Sequence, residues 1–393
     1  MPSAQPVSTP TTERPAGSAA QARRPLLSLI LCSRNDQFQG NSLWRLEMTL
    51  NYTAAKVAEL GRLDDVEIIV ADWGSENTLR EHTRLTKEAA AIVRFMMIPT
   101  PLAKEKQKDS PFAEVFAINA AARRSRGAYI GRIDQDTLVG KHFLEWFFAK
   151  CAVEGSPTAK SVMISNRRRV PYHFAVKCPD FPIVEKYVDM GARKLPEMFA
   201  PPPETYWECY IGVFLFSREL WEASGGYDET FLYYGFMEFD LFLRLRMHYE
   251  GINLSEAVDT DFYHLDHVPM WAVWKKLARA GNPMRTPENP PPEFAPNGEA
   301  WGLRDYDLAL EPSPGGHLLM SEQESRWSGA YLGRLVGDTV SSTVQTFVHL
   351  AREEGAEFPK MMLRPIKRLL TGRPASRHGV HRDSIAQSGN GSA

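Results

Sequence analysis

Asp134-Gln135-Asp136 ends the alternating run from Tyr129 to Ile133, which has the period of a β-strand. Two carboxylates one residue apart at a strand exit can face a single hard cation, which prefers oxygen ligands and often completes its sphere with phosphate oxygens. Taken alone the pair is weak evidence and a solvated turn is the commoner reading, since loops are rich in aspartate. Other carboxylates occupy comparable positions: Asp36 lies just past the apolar run Leu26 to Cys32, and Asp72 just past Val66 to Ala71. If those runs are parallel strands of one sheet, Asp36, Asp72, Asp134 and Asp136 line one crevice, because ligands of such sheets bind beyond the carboxyl ends of the strands.

The elements needed for this are legible in order. After the strand Leu26 to Cys32, the segment Asn41 to Leu60 has helical period, with Leu43, Leu46, Leu50, Ala54 and Val57 on one stripe. Val66 to Ala71 is a second strand, Thr78 to Ala90 a polar helix, Ile92 to Ile98 a third strand and Phe112 to Arg124 an alanine-rich helix stopping at Gly127. Tyr129 to Ile133 is the fourth strand. A short aromatic helix (Lys141 to Cys151), strands at Ser161 to Asn166 and Glu208 to Phe216, a helix at Phe239 to Met247 and a strand at Asp259 to His264 follow. Strand and helix alternating at this spacing predict right-handed crossovers and a mostly parallel, Rossmann-like sheet flanked by helices. No Gly-x-Gly-x-x-Gly follows the first strand and no Gly-Lys-Ser/Thr loop exists, so dinucleotide and P-loop readings lose their main support. Residues 175 to 206 are proline-rich without a clean period, as in a lid or binding loop.

Hydrophobic content of 43% and 11% aromatics provide for a real core, and a net charge of −2 gives no global reason to expect nucleic acid. Cys32, Cys151, Cys178 and Cys209 have neither Cys-x-x-Cys nor zinc spacing and read as reduced thiols of a cytoplasmic protein. No apolar run approaches a bilayer span. The expected organisation is a disordered tail over 1–25, an α/β domain over 26–282, a proline-rich linker over 283–298, a helical C-terminal extension over 299–370 and a disordered basic tail over 371–393. Around residues 360–382, Arg364, Lys367 and Arg368 alternate with Met361, Met362, Leu363, Ile366, Leu369 and Leu370. Such a basic amphipathic helix could lie on an anionic membrane at the inner face, or merely cap the core.

Taken in order, the Asp-x-Gly-Ser ending at Ser75, the Asp-Gln-Asp, the Gly225-Gly226-Tyr227-Asp228-Glu229 turn and Glu238-Phe239-Asp240-Leu241 resemble the family 2 glycosyltransferases of the GT-A fold, with a galactosyltransferase-like acceptor-side motif. The resemblance covers about Leu26 to His267. It implies a metal-dependent, inverting hexosyltransferase moving a sugar from a nucleotide-sugar, such as a UDP-sugar, to a saccharide or lipid-linked acceptor in polysaccharide biosynthesis. Asp134 and Asp136 would hold Mn2+ or Mg2+ across the donor diphosphate, with a third ligand from His264 or else His267. Asp72 would read the base. The family's second Asp is Trp73 here, whose indole could stack on that base. Ser33, Arg34 and Asn35 occupy the first nucleotide-contact loop, and Asn119 matches the Asn of Arg-Asn-x-Gly, although the Arg is Ile118 and the Gly is Ala121. Trp207, Glu208, Gly226 and Asp228 fall on the acceptor side. In place of the family's Glu-Asp-x-Asp-Leu stands Met237-Glu238-Phe239-Asp240-Leu241, so Glu238 takes the place of the catalytic base, and Asp240 is expected to be structural, paired with Arg244 four residues on. A sugar nucleotidyltransferase and a catalytically silent nucleotide-sugar-binding protein are the competing expectations.

Overall fold

The computed structural model describes residues 24–153, 155–191, 212–246, 248–267, 282–283, 291 and 293–314. Eleven strands occur among them: β1 (Leu27–Ser33), β2 (Val66–Trp73), β3 (Val93–Ile98), β4 (Tyr129–Ile133), β5 (Thr137–Val139), β6 (Ser161–Ser165), β7 (Arg168–Val170), β8 (Val213–Ser217), β9 (Glu250–Asn253), β10 (Phe262–Leu265) and β11 (Glu311–Pro312). Eight of them form one sheet in the order β11-β3-β2-β1-β4-β8-β6-β9, and β5-β10-β7 form a second. The large sheet is parallel through β3, β2, β1 and β4. It turns antiparallel at β8, which pairs with both β4 and β6. The expected class, an α/β protein with a mostly parallel sheet flanked by helices, is the one the chain adopts.

Every residue of β2 is buried, as an inner parallel strand covered on both faces requires. Alternate residues serve opposite layers. Ile30, Ile69 and Ala71 join one core with the helix Glu114–Arg124, and Leu29, Leu31, Ile68 and Val70 join the other with the helices Ser42–Glu59 and Lys141–Cys151. Ala117, Ala120 and Ala121 let the first of these helices lie close on the sheet. It hands the chain to β4 through Gly127, where a Cβ would stand 2.5 Å from the Ser28 nitrogen. No larger residue fits there. Each fully buried large aliphatic or aromatic side chain of these layers contributes about 1.5–3 kcal/mol relative to exposure.

Three features depart from the expected elements. Thr78 to Ala90 is not one helix but two short ones, Leu79–His82 and Lys87–Ile92, with Thr86 capping the second. Within 175–191 the chain forms the helix Phe181–Gly191, which buries Phe181, Val184, Tyr187 and Val188 in a third core with Trp44 and Tyr263. Residues 299–314 contain no helix. They form a strap whose β11 pairs antiparallel with β3, and the Arg124 guanidinium donates to the carbonyls of Gly302, Leu303, Tyr306 and Leu308. The rest of the expected helical extension, the basic tail with its amphipathic helix, and the tail over 1–23 lie outside the described residues. Among the described residues no helix is long and apolar enough to cross a membrane, and Cys32, Cys151 and Cys178 are free thiols.

Candidate active site

β4 ends at the carboxyl edge of the parallel strands, and its fourth residue, Arg132, is charged and only 4% exposed. A guanidinium in a buried strand is tolerable only when acids are there to pair with it. Its Nη2 donates to Glu114 at 2.5 Å, to Asp134 at 2.7 Å and lies 3.1 Å from Glu238. Glu114 and Glu238 each sit in the first turn of a helix, Glu114–Arg124 and Met237–Arg246, where the helix dipole also favours an anion. One cation serving three carboxylates leaves an excess of negative charge. Burial therefore pushes the Glu238 carboxyl up to about 7, Glu114 adding to the rise and Arg132 opposing it. Burial raises Glu114 as well. A carboxylate poised near 7 suits a general base at neutral pH.

Asp136 faces a different set. The β5–β10 ladder sets Thr137 opposite His264, and the turn that follows β10 brings in His267. The His264 Nε2 lies 3.5 Å from Asp136 Oδ1, and the His267 Nε2 3.3 Å from Oδ2. One ligand atom from each of the three residues falls within 4.8 Å of the others. Arg45, on the helix Ser42–Glu59, donates through Nη1 to Asp136 Oδ2 at 2.6 Å, whereas Oδ1 is buried without a hydrogen bond. Burial alone would raise Asp136, but the two imidazoles and Arg45 hold it well below the usual carboxylate range. The His264 Nδ1 lies 3.2 Å from Asp266, itself gripped by Arg169 at 2.7 Å. That outer carboxylate turns Nε2 toward Asp136, as it does for many metal-binding histidines. Oδ1, which accepts no hydrogen bond, and the two imidazoles facing Asp136 fit a divalent cation. Asp134, expected beside Asp136 in that set, is instead held by Arg132 and Arg167.

On the nucleotide side, Ser33, Arg34 and Asn35 reach the same edge and are tied to the neighbouring turn. Ser33 bonds Gln135, Asn35 N–H donates to Ser75 at 2.8 Å, and Arg34 pairs with Asp36 at 2.6 Å. Asp72 is 1% exposed; its carboxylate accepts from Ser75 Oγ and from Leu79 N–H, so it organises the turn after β2. Trp73 does not stack on a base. It is fully buried, stacks on Phe116 and donates to Gln107 at 2.9 Å, because the strand's alternation turns it into the core. Asn119 is likewise buried within the helix layer. Its side chain donates to the Tyr227 carbonyl and accepts from the Tyr227 N–H, both at 2.8 Å, which clamps the glycine turn.

The acceptor-side candidates separate in the same way. Gly226 adopts φ +71°, and a Cβ there would meet Asn119 Oδ1 at 2.3 Å. Asp228 is buried and accepts from the N–H and hydroxyl of Thr230. Both build the turn. Trp207 and Glu208 lie outside the described residues. Asp240 forms the expected buried pair with Arg244 at 2.9 Å, and Arg244 also donates to the Ser224 and Gly226 carbonyls. Sequence reading passed over Arg45, Arg132, Arg167 and Glu114. The signal for Arg132 was a charge inside an otherwise apolar strand.

No protein-family model and no curated protein matches the chain. Among solved structures, residues 1–349 of S. aureus TarS match at 13% identity with a TM-score of 0.39, over 61% of this chain and 60% of that one. The same protein with UDP-GlcNAc matches at 12% identity and a TM-score of 0.37. The catalytic domain of Drosophila β1,4-galactosyltransferase 7 with xylobiose matches at 11% identity and a TM-score of 0.34, over 66% and 75%. The chain thus spans about 60% of the TarS chain it matches.

Proposed function

We propose that the chain is a nucleotide-sugar glycosyltransferase. The observation that carries this reading is the meeting at one sheet edge of Glu238, poised near neutrality, with the Asp136–His264–His267 cluster. A glycosyl transfer needs both: a base to take the acceptor proton, and a site that tolerates the charge developing on the leaving group. In the reaction, Glu238 accepts the proton of an acceptor hydroxyl as that oxygen attacks the anomeric carbon. The bond from that carbon to the diphosphate oxygen breaks and the nucleoside diphosphate departs. A single displacement of this kind inverts the anomeric centre. Arg132 holds Glu238 and Asp134 in register through the step.

Asp136, His264 and His267 would hold the divalent cation, which when bound neutralises charge on the departing diphosphate. Two imidazoles with one carboxylate suit manganese better than magnesium, whose preference is for oxygen. The donor is read as a UDP-sugar, the acceptor as a saccharide or lipid-linked sugar. The test is turnover of a panel of nucleotide-sugars by purified protein, with manganese and with chelator. Release of nucleoside diphosphate only with the metal is expected. Binding without turnover under every condition would favour the silent nucleotide-sugar-binding protein.

A further inference from the structure

β1 and β4 begin side by side at the edge of the sheet away from Asp134 and Asp136, and a cavity of about 280 Å³ opens there. Backbone pairing brings its walls together. The Leu26 N–H donates to the Asp65 carbonyl at 2.8 Å, the Ala128 N–H to Pro25 at 3.3 Å and the Arg218 N–H to Ala128 at 2.9 Å. Four of the lining side chains are guanidiniums, those of Arg24, Arg62, Arg126 and Arg218, against the one lining carboxylate of Asp65. We infer that this cavity binds a phosphate group, as a monoester or a diphosphate, at a site separate from the cation cluster. The five residues of β4 lie between the two, about 16 Å of strand. Ligands of parallel sheets ordinarily bind at the other edge, so this site goes beyond the glycosyltransferase reading and does not rest on it.

A chain with a net charge of −2 has no general surplus of cations. Four guanidiniums at one cavity are therefore a local accumulation, and they repel one another until an anion joins them. Their protein partners do not use them up. Arg62 gives one N–H to Asp65 at 2.9 Å, and Arg126 gives one to Glu67 at 3.2 Å. Arg218 is fixed by its Nε on the Gly127 carbonyl and its Nη2 on Ser125 Oγ, both at 2.9 Å. Its Nη1 stands 3.9 Å from Glu222. Arg24 is exposed and forms no ion pair among the described residues. Burial lowers the Arg218 guanidinium and the charge of Arg24 lowers it further, with Glu222 and Glu67 opposing.

A guanidinium presents five N–H donors in a rigid fork that matches phosphate oxygens two at a time. Each of these four keeps part of its fork open. A carboxylate would fill one fork and leave the others facing each other, whereas a phosphate brings more charge and more acceptor oxygens. At about 280 Å³ the cavity is at the small end for ligand sites, which suits a phosphate on a short organic stem rather than a whole nucleotide. Pro25 and Ala152 complete the wall and offer that stem an apolar contact. Such a phosphate comes either from a soluble ester or from a lipid headgroup, and the chemistry of recognition is the same for both.

The experiment is isothermal titration calorimetry of the full chain with inorganic pyrophosphate, in chelator so that no cation bridges the probe to Asp136. Wild type, Arg24→Gln, the double variant Arg24→Gln/Arg62→Gln and Lys104→Gln are compared. Lys104 is exposed on the helix Thr100–Gln107, which follows β3 at the opposite edge, so its variant removes one charge without touching the cavity. Unchanged urea midpoints verify the folds. Pyrophosphate should bind wild type, roughly three- to tenfold more weakly to Arg24→Gln and more weakly still to the double variant. Lys104→Gln should bind as wild type does, and affinity should fall as salt rises. No binding to wild type, equal affinity in wild type and both arginine variants, or an equal loss in Lys104→Gln overturns the site. A second arm identifies the source. Binding of glycerol 3-phosphate with the same dependence on Arg24 supports the site as one for a soluble ester. Co-sedimentation with phosphatidylcholine vesicles containing phosphatidic acid, lost in the double variant and without binding of glycerol 3-phosphate, supports it as one for a lipid headgroup. Neither arm needs turnover or manganese, so a negative result here leaves the glycosyltransferase reading to its own assay.

Discussion

Glu238 is held at about 7 because a buried carboxylate shares one guanidinium with two others. Deprotonation is what a base needs, so kcat/KM should rise with pH and level off above about 7. A profile flat from pH 5.5 to 8.5 would remove Glu238 from that role. Glu238→Gln preserves shape without accepting a proton, and transfer should fall roughly a hundredfold or more while UDP stabilisation survives. The cation site has a sharper signature. Asp136→Ala and His267→Ala should each abolish the manganese-dependent part of nucleotide stabilisation in a thermal-shift assay, whereas Asp134→Asn should leave most of it, since Asp134 faces arginines. An equal loss in Asp134→Asn would return that residue to the cation. At this scale the sequence showed the reactive carboxylates but not their partners. Arg45 and Arg167 come from 91 and 33 residues away from the acids they hold, and Arg132 reaches Glu114 across 18 residues as well as its neighbour Asp134; no local pattern encodes the distant pairings. Trp73 was misplaced because motif position says nothing of which face of a strand a side chain takes.

The elements were legible wherever the apolar period was unbroken, as in β1, β2, β4 and the helix Glu114–Arg124. They were lost where tertiary pairing makes them: β5, β7 and β11 are two or three residues long and exist because a partner strand is there. Phe181–Gly191 was readable, for Phe181, Val184 and Val188 keep helical spacing, but Pro182 and the prolines flanking it in the sequence obscured it. The glycine turn and its clamp illustrate how elements rather than motifs carry a site. Gly226→Ala would force a methyl into Asn119 at a positive φ. It should destabilise the fold by about 1–3 kcal/mol, read as a lower urea midpoint with unchanged slope. A midpoint within error of wild type would mean that the Asn119 clamp yields freely.

For the molecule as a whole, composition and strand–helix alternation were enough for the class, because burying both faces of a parallel sheet leaves few arrangements. They did not reveal that residues past the proline-rich stretch return to the domain. The strap closes the β3 edge and covers the helix Glu114–Arg124, whose Arg124 satisfies four of its carbonyls. A chain ending at residue 298 should therefore unfold at lower urea and self-associate through β3, detectable by light scattering; a monomer of undiminished stability would show the strap to be dispensable. The same edge has a history during synthesis. β3 leaves the ribosome some two hundred residues before β11 does, which at about 5–20 residues per second leaves its backbone groups open for roughly 10–40 s. Throughout that interval the nascent chain carries the one parallel layer it can already build, with an uncapped strand at its border. Its yield in a cell should accordingly depend on how quickly ribosomes pass through the proline-rich stretch, and on holdase chaperones that shield the open border until the strap arrives.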